Sequence, residues 1–304
     1  MSRPDPRPAP RSGVARCAIV LLALALSSAA SVRAGDVPPE AAAAYDRGYE
    51  RSKRGDLDGA IAEYSRAIAL APRFEDAFNN RGVVWATKGQ LDAASADLTR
   101  AIELAPGFVG AYSNRGDVRR RQGDLVGAAI DFSRAIEGAQ GFARPRSQRG
   151  QLQWRARDFA GAILDLRRAL EIDPARDADR FFLYFAEAIV SGEPSARAAY
   201  DLGVARRTAP PARDSWSSQV DLLIRGERTV ADVERELEAS SAPRRELDRC
   251  RVRFCAGMLA RVRGDVAGAK ALLDACVATG RHEESEHLAA IAVLGWPRSP
   301  ESGK

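Results

Sequence analysis

AAAAYDRGYERSKRGDLDGAIAEYSRAIALAPRF, residues 41–74, and EDAFNNRGVVWATKGQLDAASADLTRAIELAPGF, residues 75–108, align without a gap, and the register continues through 109–142 and 143–176. Ala60, Ala94, Ala128 and Ala162 are 34 positions apart, as are Ala67, Ala101, Ala135 and Ala169, and as are Gly48, Gly82, Gly116 and Gly150. Small residues at a fixed period mark stacked structural units. Each unit reads as two helices joined at Gly55-Asp56, Gly89-Gln90, Gly123-Asp124 or Arg157-Asp158. Between the two alanine columns the second helix carries one large residue, Tyr64, Leu98, Phe132 or Leu166. The small residues let two antiparallel helices approach closely, and the large one fills the space between them.

Pro72, Pro106 and Pro174 close units one, two and four, where proline ends a helix pair; Gln140 stands there in unit three. These columns resemble the tetratricopeptide repeat, over residues 41–174. The resemblance implies an all-α fold, a right-handed α-solenoid of helix hairpins with a concave groove. Two further columns run through the units: Arg47, Arg81, Arg115 and Arg149 precede the glycines, and Glu63, Asp97, Asp131 and Asp165 follow each Arg by sixteen positions. They predict a salt bridge across every hairpin. In a later repeat-like unit both partners are replaced together, by Ala256 and Leu272.

After Pro174 the period blurs. Residues 175–249 read as divergent helical hairpins, a fifth pair around Phe181–Tyr200 and a shorter one from about Asp214 to Leu237, separated by Pro210-Pro211. Residues 250–295 read as a repeat-like unit with Gly257, Gly264-Asp265, Ala269 and Leu273, then a capping helix from Glu283 to Leu294; 296–304 reads as a flexible tail. Trp216, Val220, Leu223, Gly226, Phe254, Gly257, Arg263-Gly264-Asp265, Glu286-His287 and Leu294-Gly295 resemble the C-terminal half of NlpI-like bacterial envelope proteins. That resemblance implies an extracytoplasmic adaptor for peptidoglycan hydrolases and proteases. It does not carry over membrane tethering, because the lipid-bearing cysteine of those lipoproteins has no counterpart: Cys17 stands at the start of the apolar run, not at its end.

The chain has 304 residues, 45% hydrophobic and 29% charged, a balance that suits a folded protein and excludes a collagenous, disordered or polytopic membrane chain. Its net charge of +5 invites a nucleic-acid reading. However, Arg3, Arg7, Arg11 and Arg16 followed by an apolar run from Cys17 to Leu26 form an export signal, with cleavage expected after Ala34 and a mature start at Gly35. Cleavage after Ala30 and retention as an anchor are the alternatives. Five of the 46 basic and one of the 41 acidic residues precede Gly35, which leaves 41 and 40 and a charge near +1. Nucleic acid therefore drops out as a partner, because backbone binding needs a concentrated positive footprint. A periplasmic or secreted protein without stable membrane insertion is expected.

Little in the composition supports catalysis, a metal or a cofactor. His282 and His287 are five apart, which does not bring two rings onto one helix face, and no cysteine pair has zinc-finger spacing. There is no glycine-rich phosphate loop, Gly-x-Ser-x-Gly elbow or Cys/His dyad. Cys250 lies seven residues before Gly257, on the face turned toward the second helix and Cys276, whereas Cys255 points elsewhere. Cys250 with Cys276 is the preferred disulfide, three free thiols the alternative. In tetratricopeptide folds one face of each first helix lines the groove. Mapped here, that face holds Tyr45, Tyr49 and Lys53; Asn79, Val83 and Ala86; Ser113, Asp117, Arg120 and Arg121; and Arg144, Ser147, Gln151, Trp154 and Arg155. Such a surface suits an extended peptide, with arginines meeting acidic groups. The expected function is an exported, non-catalytic scaffold for envelope proteins or peptide segments. An assembly factor for outer-membrane or secretion machinery, and an enzyme with a site hidden in 175–249, are the alternatives.

Overall fold

The computed structural model describes residues 37–205, 215–239, 245–280 and 285–294. The expected signal and its cleavage site, Pro210-Pro211, His282 and the tail from Trp296 lie outside these residues, as does the side chain of His287. The described residues hold fifteen helices and no strand. Four regular hairpins come first: α1 (Pro39–Lys53) with α2 (Leu57–Leu70), α3 (Glu75–Thr87) with α4 (Leu91–Leu104), α5 (Val109–Gln122) with α6 (Leu125–Gly138), and α7 (Ala143–Arg155) with α8 (Phe159–Ile172). A fifth pair, α9 (Asp177–Ser191) and α10 (Glu193–Ala205), continues the stack, followed by α11 (Trp216–Arg225) and α12 (Val230–Ala239). The chain ends in α13 (Arg245–Val262), α14 (Val266–Val277) and α15 (Ser285–Leu294).

Four second helices, α2, α6, α8 and α14, start where an aspartate offers its carboxylate to an otherwise unbonded amide of the first turn. Asp56, Asp124, Asp158 and Asp265 accept from Gly59, Gly127, Gly161 and Gly268 at 2.8–3.0 Å. The turn just before needs a left-handed residue, supplied by Gly55, Gly89 and Gly123; in the fourth hairpin Arg157 adopts it, at φ 65°. Each first helix meets the second through its repeated glycine. A Cβ on Gly116 would lie 2.7 Å from the Phe132 ring, and one on Gly82 2.9 Å from Leu98. The eight repeated alanines are fully buried.

The predicted arginine ladder is present and does more than close each hairpin. Arg81, Arg115 and Arg149 each grip their aspartate with Nε and one terminal nitrogen, at 2.6–2.9 Å. The third nitrogen reaches back to the preceding unit, to Ser65, Thr99 and Ser133 at 2.9, 3.2 and 2.9 Å. Arg47 bonds Glu63 at 3.0 Å. One arginine thus ties two hairpins together. The column ends where Arg167 occupies the Ser/Thr position and pairs instead with Glu187 on α9, at 2.7 Å.

Two kinds of core result. The first three hairpins are held by small separate clusters, such as Ala94, Leu98 and Val118, or Ala128, Phe132 and Leu152. From Trp154 onward one continuous core runs through α9, α11, α13, α14 and α15. Cys250 and Cys276 are joined as a disulfide inside it, with Cα atoms 4.4 Å apart, and Cys255 is buried nearby. The last helix, α15, packs on α13 and α14 and returns to α7 of the fourth hairpin.

Candidate protein-interaction groove

Helices α1, α3, α5, α7 and α9 lie side by side, so their repeated polar positions form rows across the groove. A directed hydrogen-bond relay runs along them. Arg144 donates to the Asn114 carbonyl oxygen at 3.4 Å, Asn114 to Asn79 at 3.0 Å, Asn79 to Asn80 at 3.0 Å, and Asn80 to the Tyr45 hydroxyl at 2.7 Å. Asn79 is buried and Tyr45 packs between Phe74 and Tyr64, at ring separations of 5.0 and 5.6 Å. Burial, then the carboxylate of Asp76, raises the Tyr45 phenol above its ordinary pKa, and burial takes Tyr64 to about 12. Asn80 and Asn114 were not among the groove residues read from the sequence. Their signal was available in the column Asp46, Asn80, Asn114 and Gln148, four polar residues at the same period.

Beyond Arg144 the relay opens into a polar cavity of about 610 Å³. Asp117, Arg120, Gln151, Arg176, Asp179, Trp216 and Arg251 line it. Asp179 is buried and fully engaged: Ser147 donates to it at 2.6 Å, Gln151 at 3.0 Å and Arg176 at 2.6 Å. Arg176 also donates to Ser147, at 2.7 Å. Arg120 holds Asp117 at 2.9 Å, and Arg144 approaches the same carboxylate at 3.9 Å. Arg251 stands over the Trp216 ring, 5.0 Å from its centre. Fixed donors and acceptors of both signs, held by buried partners, make a preorganised surface for a polar chain segment.

Three of the groove residues read from the sequence, Asp117, Arg120 and Gln151, line this cavity; Arg144 stands beside Asp117 and, with Tyr45 and Asn79, belongs to the relay. Tyr49 is half exposed at the first hairpin, with Lys53 5.3 Å over its ring. Arg121 is spent on the Ala86 carbonyl, 2.7 Å away. Trp154 corrects the expectation: it lines no groove and is fully buried. Phe254 of α13 and Phe182 of α9 stand edge-on to it at 5.8 and 5.3 Å, so the chain's own C-terminal helices cover that stretch. Arg155 also leaves the polar cavity and lines the seam between α6 and α7. Among the described residues no three His, Cys, Asp or Glu side chains cluster as metal ligands, and no helix is long and apolar enough to cross a membrane.

Family models described as TPR repeat and tetratricopeptide repeat match residues 48–89 and 87–143. Among solved structures, a tetratricopeptide repeat protein from Parabacteroides merdae superposes with a TM-score of 0.54 at 14% identity, over 85% of this chain and 100% of that one. MamA from Desulfovibrio magneticus gives 0.49 at 15% identity, over 55% of this chain and 94% of that one. The second tetratricopeptide domain of human RPAP3, solved with an HSP70 peptide, gives 0.37 at 26% identity, over 38% and 95%. Curated proteins provide no match.

Proposed function

With a tetratricopeptide-type solenoid as premise, we propose that this protein is an exported adaptor of the bacterial cell envelope. In this reading it is not an enzyme, and its groove holds an extended segment of a partner protein. The observation that carries the reading is the polar cavity at the end of the asparagine relay, lined by Asp117, Arg120 and Gln151 with Arg144 beside Asp117, while the neighbouring apolar stretch is closed by α13. Partner binding through tetratricopeptide repeats is supported by the family matches. Export rests on the basic and apolar N-terminal pattern, and peptidoglycan hydrolases or proteases as clients rest on the NlpI-like C-terminal motif.

Affinity capture from bacterial envelope extracts, with bound proteins identified by mass spectrometry, tests this. Wild type is expected to retain wall hydrolases or proteases, and Arg120→Glu/Arg144→Glu protein to lose them. Equal yields of the same proteins from both would exclude the groove. N-terminal sequencing of the exported protein is expected to begin at Gly35.

A further inference from the structure

The seams between successive hairpins are not equivalent. At the first seam Lys88 reaches across to Asp58, and at the second Gln122 donates to Asp92 at 2.9 Å. Each pair ties the start of a second helix to the end of the next first helix. The corresponding residues at the third seam are Val126 and Ala156, so that latch cannot form there. A groove of about 800 Å³ opens instead between α6 and α7, lined by Leu125, Val126, Ala129, Ile130, Leu152 and Ala156. Val126 is 74% exposed and Ile130 56%, at positions where the two preceding units carry Asp and Ala. They make an uncovered apolar surface of the kind that marks a contact site. Among the described residues, none lines both this groove and the polar cavity.

The charges around the groove narrow what it can hold. Arg134 bonds Glu137 at 3.1 Å, Arg149 grips Asp165 at 2.6 Å, and the Asp158 carboxylate caps α8 through Gly161 at 3.0 Å. Arg155, which also lines the groove, is the exception: among the described residues it has no ion pair, and its buried Nε has no acceptor. Its counterpart one unit earlier, Arg121, donates to the Ala86 carbonyl at 2.7 Å. Burial, then the neighbouring Arg120 cation, lowers the Arg155 pKa, as expected of a guanidinium short of a counter-charge. The groove thus offers an apolar face with one unmatched positive charge, and a carboxylate is its complement. The lining runs from Leu125 to Glu137 along one side of α6, about 18 Å or about three helical turns. An extended chain would lay unpaired backbone groups against valine and isoleucine, since the described residues hold no strand whose edge could bond them. A helix bonds its own backbone and presents side chains alone.

We propose that the groove between α6 and α7 docks an acidic amphipathic helix of a partner protein, with its apolar stripe on Val126, Ile130 and Leu152 and a carboxylate against Arg155. The seam that lacks a polar latch is thereby a second interaction surface. It is separate from the polar cavity, and either role can fail without the other.

The test is fluorescence anisotropy of the full chain with labelled synthetic helices of about twelve residues, bearing leucines at helical spacing flanked by glutamates, by lysines at the same positions, or in scrambled order. The glutamate peptide is expected to bind about tenfold more tightly than either of the others. Val126→Asp/Ile130→Asp, at exposed positions that leave the fold intact, should abolish binding. Arg155→Glu should turn the preference toward the lysine peptide, and the milder Arg155→Gln should erase it, with circular dichroism confirming that both variants are folded. Arg144→Glu, beside the polar cavity, should leave binding unchanged. Absence of binding, or equal affinity for the three peptides, overturns the proposal. So does binding that survives Val126→Asp/Ile130→Asp, or a glutamate preference that survives both Arg155 variants. Loss of binding in Arg144→Glu also overturns it, since the peptide would then sit at the polar cavity. A dimer seen by light scattering and dispersed by Ile130→Asp does the same, because a second copy would then cover the groove.

Discussion

The first three hairpins and the region after Trp154 use opposite ways of staying folded. In the former, a handful of buried residues per hairpin is supplemented by arginines that bond both their own unit and the one before. Such stability is a sum of nearest-neighbour terms, so damage should remain local. In the latter, one aromatic core joins helices far apart in sequence: Trp154, Phe182 and Phe254 touch although a hundred residues separate the first from the last. There the loss of one side chain should be felt throughout. The polar cavity lies at the junction, with walls from both regions. The modular part sets its rows of polar groups, and the merged part gives it a rigid end.

The largest effect separating the two regimes is expected for Phe254→Ala, which removes the ring shared by α7, α9 and α13. A cost of about 3–5 kcal/mol is expected. Native-state hydrogen exchange should show faster exchange in α7, α9 and α13 together and little change in α1–α4; a uniform increase would erase the distinction. Next comes the ladder. Arg115→Ala should destabilise the chain more when Asp131 is present than in an Asp131→Ala background, with a coupling of about 1–2 kcal/mol in a denaturant double-mutant cycle. Asp131 is 1% exposed and also accepts from Arg119 at 2.8 Å, so Asp131→Ala alone should cost more than Arg115→Ala alone. Zero coupling would remove the ladder as a stabilising device.

Smaller effects are expected at the helix starts. Asp124→Ala should cost about 1 kcal/mol, whereas Gln90→Asp, which restores the cap missing from the second unit, should add a comparable amount in thermal denaturation. The smallest effect is confined to alkaline pH and the first hairpin. Tyr45 and Tyr64 have raised pKa values, so the fold favours their neutral phenols. Their contribution is complete below pH 10 and is lost as pH rises from about 10 to about 12. Phenolate absorbance should then track the loss of α1–α2 helicity, while Phe substitutions at both positions should flatten the dependence.

How far the sequence disclosed this structure follows the same division. Wherever interactions repeat at 34 residues they were readable: helix pairing, the alanine columns and the Arg–Asp rungs. The Ser65, Thr99 and Ser133 rung and the Asn80–Asn114 step have that period too, and only an explicit column search would have found them. Trp154 was different. It sits at a groove position by its register, but Phe254 and Phe182 cover it, and no period relates α13 to α7. Asp179 and Arg176 likewise acquire their roles from Ser147 and Gln151 in a neighbouring hairpin at offsets that match no repeat. Local periodicity specifies the modular half. Contacts between distant segments specify the rest, and these leave no spacing to read.

Under the proposed function, partners enter the polar cavity between these regions. Site-specific photo-cross-linking tests it most directly, with a benzophenone side chain placed either at Gln148, which lines the cavity, or at Arg100, exposed on the second helix α4. A covalent adduct with an envelope protein is expected from position 148, lost on Arg120→Glu/Arg144→Glu substitution, and none from position 100. Adducts of equal yield from both positions, or from position 100 alone, would contradict it.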